Sequence, residues 1–214
     1  MNFIRTSLYS GVSTAISLLV RLISNKIVAV YLGTSGIFLL GQLKDFLRLS
    51  NVISGFGIEN GIIKYTSEFQ KSDEELRKIL STSFRTHLFF SLIFCILILI
   101  FKNTIAEYLL LDFDSKFYFL ILSISVISFS IHTLLMSIIN GIKKIKLYVT
   151  INVFSVVISA ILMITLVLKY AIIGALYALI INQIITLLVT LILFYRNWVA
   201  YKIHYSRKSS LSSL

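Results

Sequence analysis

Two short stretches hold the residues whose types and spacing could do chemistry. In "RLISNKIVAVYLG", Arg21, Asn25 and Lys26 interrupt an apolar run. In "GIFLLGQLKDFLRLSN", Gln42, Lys44, Asp45 and Arg48 interrupt another. A charge at membrane depth is costly, so it usually faces a bundle interior or a wet cavity and marks a functional path. Arg21 and Asn25 are four residues apart, as are Lys44 and Arg48, so each pair shares one face of a helix; Asp45 and Arg48, three apart, can pair along theirs. Four cations against one acid leave a positive excess. The simplest counter-charge is an anionic ligand, a phosphate or pyrophosphate above all.

These residues need helices to hold them. The 214-residue chain is 57% hydrophobic and only 14% charged, and it contains no proline. Its mean hydropathy is +0.93. Soluble domains need a more charged exterior, and a helix satisfies its own backbone inside lipid. The expected fold class is therefore all-α integral membrane, a bundle of six transmembrane helices. The spans fall near Ser7–Tyr31, Gly36–Ile63, Thr82–Phe101, Phe117–Ile139, Leu147–Leu168 and Ile172–Tyr195, each near the roughly 20 residues a bilayer core requires. Residues 1–196 form the bundle and 197–214 a polar tail, read as truncated. The first apolar stretch is too long for a cleavable signal peptide and is read as retained.

Orientation follows from the flanking cations. With both termini in the cytoplasm, thirteen of the 20 Lys and Arg lie at inner flanks, three at outer flanks and four within spans. The net charge of +11 largely reflects this asymmetry; it suits anionic membrane lipids and gives no reason to invoke nucleic acid. In "KYTSEFQKSDEELRKIL", Ser72 and Glu75 fit a capping box. Asp73 with Arg77, and Glu74 with Lys78, have the spacing of helix ion pairs.

Counting about 1.5 Å per residue from Tyr31, Lys26 lies roughly 7 Å deep and Arg21 roughly 15 Å; counted from Gly36, Lys44 lies roughly 12 Å and Arg48 roughly 18 Å deep. Lys26 is shallow enough to snorkel to the interface instead. The candidate cationic cavity therefore comprises Arg21, Asn25, Lys26, Gln42, Lys44, Asp45 and Arg48. Glu59, Asn60 and Lys64 stand at the inner mouth, as a gate or as an ordinary interfacial cap. Gly57 and Gly61 have small-xxx-small spacing for close helix packing. The glycines of "SGFGIENG" follow a helix, not a strand, so they make no nucleotide loop. The single Cys95 and the separated His87, His132 and His204 offer no metal-ligand spacing. No nucleophile–base set appears. Neither an enzyme nor a cofactor is expected.

The run "NKIVAVYLGTSGIFLLGQLKDF", followed by "GFGIENGIIKYTSEF", resembles the start of the Wzx-type flippases, the O-antigen and enterobacterial-common-antigen translocases of a polysaccharide exporter superfamily. The likeness rests on Lys26 in its K-x-x-A-V setting, Gly33 and Gly36, the polar–x–basic step Gln42/Lys44, and G-x-G-I-x-N-G-x-x-K-Y from Gly55 to Tyr65. It is specific in roughly the first 70 residues. The resemblance implies a two-lobe transporter around a cationic cavity that moves undecaprenyl-pyrophosphate-linked oligosaccharide from the inner to the outer leaflet. Lys26 and Lys44 match basic residues of that family; Arg21, Asp45 and Arg48 do not map onto it. The family's proline in the first outer loop is replaced by the turn Gly33-Thr34-Ser35-Gly36. This chain would be the N-terminal lobe alone. Its expected partners are the lipid-linked anionic oligosaccharide, membrane lipids, and a missing second lobe or a second copy; a polysaccharide polymerase and a chain-length regulator are further candidates. The competing readings are a multidrug or cation exporter lobe of the same superfamily and an inactive truncated membrane protein.

Overall fold

The structure is a computed structural model. It describes the backbone of residues 3–55, 57–70, 72–108 and 116–211, with side chains given between Tyr9 and Arg196. Six helices follow in order: α1 (Phe3–Gly55), α2 (Glu59–Glu68), α3 (Asp73–Ile100), α4 (Lys102–Tyr108), α5 (Lys116–Gly141) and α6 (Ile145–Leu211). The described residues contain no strand.

Two of these helices are too long to be single spans. α1 has 53 residues and α6 has 67, or roughly 80 and 100 Å at 1.5 Å per residue, against a hydrocarbon core of about 30 Å. Each doubles back at one residue. In α1 this is Gly33, at φ 66° and ψ −168°, a conformation essentially reserved for glycine. In α6 it is Ala171, at φ 48° and ψ −128°. Walls of one cavity come from both sides of each turn, from 20–28 and 40–48 in α1 and from 152–163 and 179–186 in α6, so both helices are hairpins of two arms. Among the described residues four helices are long and apolar enough to cross a membrane, namely α1, α3, α5 and α6. With two of them folded back, these four helices supply six long arms.

The helix boundaries differ from the expected spans in informative ways. The second span stops at Gly55 rather than running to Ile63, because Gly57 turns the chain at φ 64° and α2 starts afresh at Glu59. Gly57 and Gly61 have open space beside them, so they do not make the close helix contact expected of them. That contact falls at Gly141, where an added Cβ would lie 3.0 Å from the Ile63 carbonyl oxygen. Ser72 does occupy the N-cap of α3, but its side chain makes no capping bond. Glu75 turns instead toward Lys78, at 3.7 Å, beside the expected Glu74–Lys78 pair at 2.9 Å. The Asp73 side chain, and with it the Asp73–Arg77 pair, lies outside the described residues. The last helix continues to Leu211.

Packing is inverted relative to a soluble protein. Leu22, Val30, Phe89, Ile96 and Ile192 are exposed, forming an apolar belt for acyl chains. The buried positions among the described residues include fourteen serines and threonines from Ser13 to Thr190 besides the aliphatic core, together with His87. Many of these hydroxyls donate back to their own helix, as Ser50 does to the Phe46 carbonyl at 2.7 Å and Ser123 to that of Phe119 at 2.8 Å. A hydroxyl bonded this way needs no water, and its small side chain lets helices approach closely.

The main core gathers at the end where the hairpins turn. Leu43, Tyr118, Phe119, Leu122, Leu176 and Ile180 are buried there with Val28, Leu40 and Met163. Tyr118, at the start of α5, meets Tyr177, just past the α6 turn, edge to face at 5.4 Å, and Ile105 and Ala106 of α4 cover this end. At the opposite end α2 packs against α5, with Ile62 against Leu134 and Ile138.

The two turns make opposite demands. A residue with a Cβ held at positive φ costs about 1–3 kcal/mol. Gly33→Ala should lower stability by about that much, whereas Ala171→Gly should raise it by about 1 kcal/mol after the extra unfolded-chain entropy of glycine is subtracted. Thermal unfolding of the detergent-solubilised protein measures both shifts, and equal responses at the two sites would contradict the geometry.

Candidate functional site

Inside the bundle lies a cavity of about 590 Å³. Its walls come from both arms of α1, both arms of α6 and the middle of α5. Each arm contributes one helical stripe. From α1 come Arg21, Ser24, Asn25 and Val28, then Leu40, Lys44 and Arg48. From α6 come Asn152, Ser155, Val156, Ser159, Ala160 and Met163, then Leu179, Asn182, Gln183 and Thr186; α5 adds Phe129 and His132. The spacings of three and four keep each set on one face.

Distance from the hairpin turns sorts these walls. Nearest the turns stand Val28, Leu40, Met163 and Leu179, all apolar and all packed into the main core. Further away Lys44 stands level with Ala160, Asn182 and Gln183, while Asn25 lies nearer its turn, level with Met163 and Leu179. Beyond that come Arg21, Arg48, Ser159 and Thr186, with Asn152 furthest. The cavity is thus sealed by hydrocarbon at the turn end and becomes polar and charged away from it. All its cations belong to α1, and no carboxylate is among its walls.

Of the residues singled out in the sequence, the cavity brings together Arg21, Asn25, Lys44 and Arg48. Lys26, Gln42 and Asp45 are not among its walls, because one residue along a helix is a turn of about 100°. Lys26 is exposed and shares a stripe with Leu22 and Val30, which are exposed as well; that is the snorkelling position. Asp45 reaches Arg48 at 4.0 Å, with both side chains largely exposed. Gln42 keeps a buried side-chain oxygen without a partner. Glu59, Asn60 and Lys64 ride on α2, apart from the cavity. Glu59 is nevertheless not isolated. A Cβ on Gly55 would lie 3.8 Å from its carboxylate and 3.5 Å from the ring of His87. His87 is buried, with Nδ1 3.0 Å from the Ser130 hydroxyl.

The sequence reading missed the second wall. His132, Asn152, Ser155, Ser159, Asn182, Gln183 and Thr186 bear no charge signal, yet Asn152/Ser155/Ser159 and Asn182/Thr186 already have helical spacing. Ser155 Oγ and Asn182 Oδ1 are buried without a partner, each at a cost of about 1–3 kcal/mol unless a ligand or water satisfies it.

What this arrangement can do is hold an anion. Arg and Lys offer only donors, and a phosphate or pyrophosphate offers only acceptors. A wet cavity also accounts for charges at this depth without pairing each to an acid.

Residues 39–214 match the model of a family described as polysaccharide biosynthesis protein. The chain is 26% identical over 107 residues to the lipid III flippase of Escherichia coli (strain K12), and equally so to that of Shigella flexneri. The aligned stretch is 50% of this chain and 26% of each flippase, so the chain spans about a quarter of the length of these relatives. No solved structure matches the chain.

A hydrated cavity makes a direct prediction. In a Cys95→Ala background, single cysteines at Arg21, Lys44 and Asn182 should react with a charged thiol reagent. A cysteine at Leu22, on the lipid belt, should not. Lys44→Cys as unreactive as Leu22→Cys would show that the cations do not face water.

Proposed function

This chain belongs to the polysaccharide biosynthesis protein family, and on that premise we propose that it is one lobe of a flippase for lipid-linked oligosaccharides. The observation that carries the reading is the cavity with three cations and no acid among its walls. Its cargo is an oligosaccharide on undecaprenyl pyrophosphate, an O-antigen or related surface-polysaccharide unit, moved across the bacterial inner membrane. Arg21, Lys44 and Arg48 take the pyrophosphate, with Asn25 beside them and Asp45 orienting Arg48. No bond is made or broken. The lipid tail stays in the acyl phase while the charged headgroup travels through the cavity.

Both termini lie in the cytoplasm in this reading, so the hairpin turns and their apolar seal are at the outer face. The cavity then opens inward, toward the leaflet where the substrate is made. Passage outward requires Val28, Leu40, Met163 and Leu179 to part. Alternating access rocks one lobe against another, so the working unit includes a second six-helix lobe or a second copy of this chain. An ion gradient or the substrate's own gradient drives it. Glu59 beside His87 is the candidate ion site, and Glu59, Asn60 and Lys64 are candidate gate residues. A cation exporter would be served by acids in the cavity, and its described walls have none.

Complementation tests the reading. Expressed together with its second lobe in a strain lacking its own flippase, the chain should restore surface polysaccharide. Lys44→Ala combined with Arg48→Ala should reduce that display at least tenfold, and Lys44→Arg should retain most of it. Undiminished display by the double variant would remove the cationic cavity from the transport path.

A further inference from the structure

The cavity is chemically two-sided, and the second side carries information about the cargo beyond its phosphate. This inference rests on the anion-binding reading of the α1 wall. Opposite that wall, α5 and α6 present His132, Asn152, Ser155, Asn182 and Gln183 with no charged residue among them. Amides and hydroxyls both donate and accept, whereas a phosphate in its ionised form only accepts. Acceptors on a phosphate-binding surface are wasted or repulsive. A polyol needs both.

His132 sharpens the point. Its Nδ1 lies 2.8 Å from Thr190 Oγ1, and Thr190 Oγ1 lies 2.8 Å from the Thr186 carbonyl oxygen. A carbonyl only accepts, so the single hydroxyl proton of Thr190 is committed to it. Thr190 must then accept from His132, and the proton of the neutral imidazole sits on Nδ1. Nε2, on the other side of the ring, is left as a bare acceptor at a residue that lines the cavity. It calls for a hydroxyl or amide donor, not for an oxyanion.

The other groups fit the same ligand. The side-chain amides of Asn152 and Gln183 make no hydrogen bond to the described residues. Ser155 and Asn182 line the cavity too, and their unpartnered Oγ and Oδ1 are closed off from it, so a side-chain rotation brings them to the ligand. The volume of about 590 Å³ falls in the range of about 300–1,000 Å³ typical of sites that enclose a ligand larger than an inorganic anion.

We propose that the α5–α6 wall is a subsite for the hydroxyl groups of an uncharged sugar, held next to the phosphate that the α1 wall takes. Asn182 and Gln183, level with Lys44, meet the sugar closest to the phosphate. His132 accepts from one of its hydroxyls, and Thr190 is a positioning residue that fixes the ring.

The test uses the full chain in lipid nanodiscs and two probes: a short isoprenyl pyrophosphate, and the same lipid with one neutral hexose on its distal phosphate. Binding is measured at pH 8, above the ordinary imidazole pKa of about 6.5. The hexose should tighten binding to the wild type by about tenfold, the yield of two or three net hydrogen bonds. His132→Phe and Asn182→Leu should each cut that gain to less than about twofold, with Asn152→Ala as the milder variant should either fail to fold. Arg48→Ala should weaken both probes together and keep the ratio between them. A wild-type gain below twofold, or variants that keep the full gain, overturns the sugar subsite. If the wild type binds neither probe, the anion-binding reading itself fails, and the subsite falls with it.

Discussion

Charge inside hydrocarbon must be hydrated or neutralised, and the rest of this structure depends on how that requirement is met. Arg21, Lys44 and Arg48 sit on stripes whose opposite faces are Leu, Ile and Val turned toward lipid. Among the described residues, of these three only Arg48 pairs with an acid, and Asp45 is 4.0 Å away on the same turn of helix. The remaining solution is a cavity, and a cavity in a bundle requires that something hold the helices apart at one level and together at another. The tight core at the hairpin turns does this. With Tyr118, Phe119, Leu122 and Ile180 fully buried, that end is closed, and the cavity lies between the arms beyond it.

The hairpins explain why the cations come together. In α1 one arm carries Arg21 toward the turn at Gly33 and the other carries Arg48 away from it, so residues 27 positions apart in sequence reach the same cavity. The positive φ at Gly33 therefore does more than end a span; it determines which faces of the two arms meet. α6 repeats the device with Ala171, and the levels match: Met163 and Leu179 at equal distance from the turn, then Ala160 and Asn182, then Val156 and Thr186. Two hairpins with the same sense, joined by α3 and α5, leave one end apolar and the other polar.

How much of this was legible in the sequence depended on what kind of signal each part carried. Span number and class were legible because apolar length is a direct requirement of the bilayer. The cations were legible because charge stands out against that background, and Arg21, Lys44 and Arg48 do share the cavity. Depth alone did not separate Lys26 from Asn25. Both lie at one level, but a rotation of about 100° sends one outward and the other in. The family likeness was read chiefly from Lys26 to Tyr65, whereas the family match runs over 39–214, so the later spans carried more of it than their lengths and charges suggested. The α2 break was obscured because "SGFGIENG" lies inside an apolar window, and hydropathy averages over a turn that a single glycine makes.

The amide and hydroxyl wall was the least legible part, and the reason is physical. In a membrane protein Ser, Thr and Asn have two uses, gluing helices together and meeting a ligand, and both place them at helical spacing on an inward face. Ser50, Ser123 and Ser128 illustrate the first use, each bonded to its own backbone. Residues of the second kind differ only in what they lack: Ser155 and Asn182 are buried with polar atoms that no neighbour satisfies. Pattern in the sequence cannot distinguish a satisfied hydroxyl from an unsatisfied one. The three-dimensional arrangement can, and two of the unsatisfied residues, Ser155 and Asn182, line the cavity that the cations share. A cavity with a cationic wall and an uncharged amide–hydroxyl wall is suited to a ligand that is itself divided, an anion at one end and a polyol at the other.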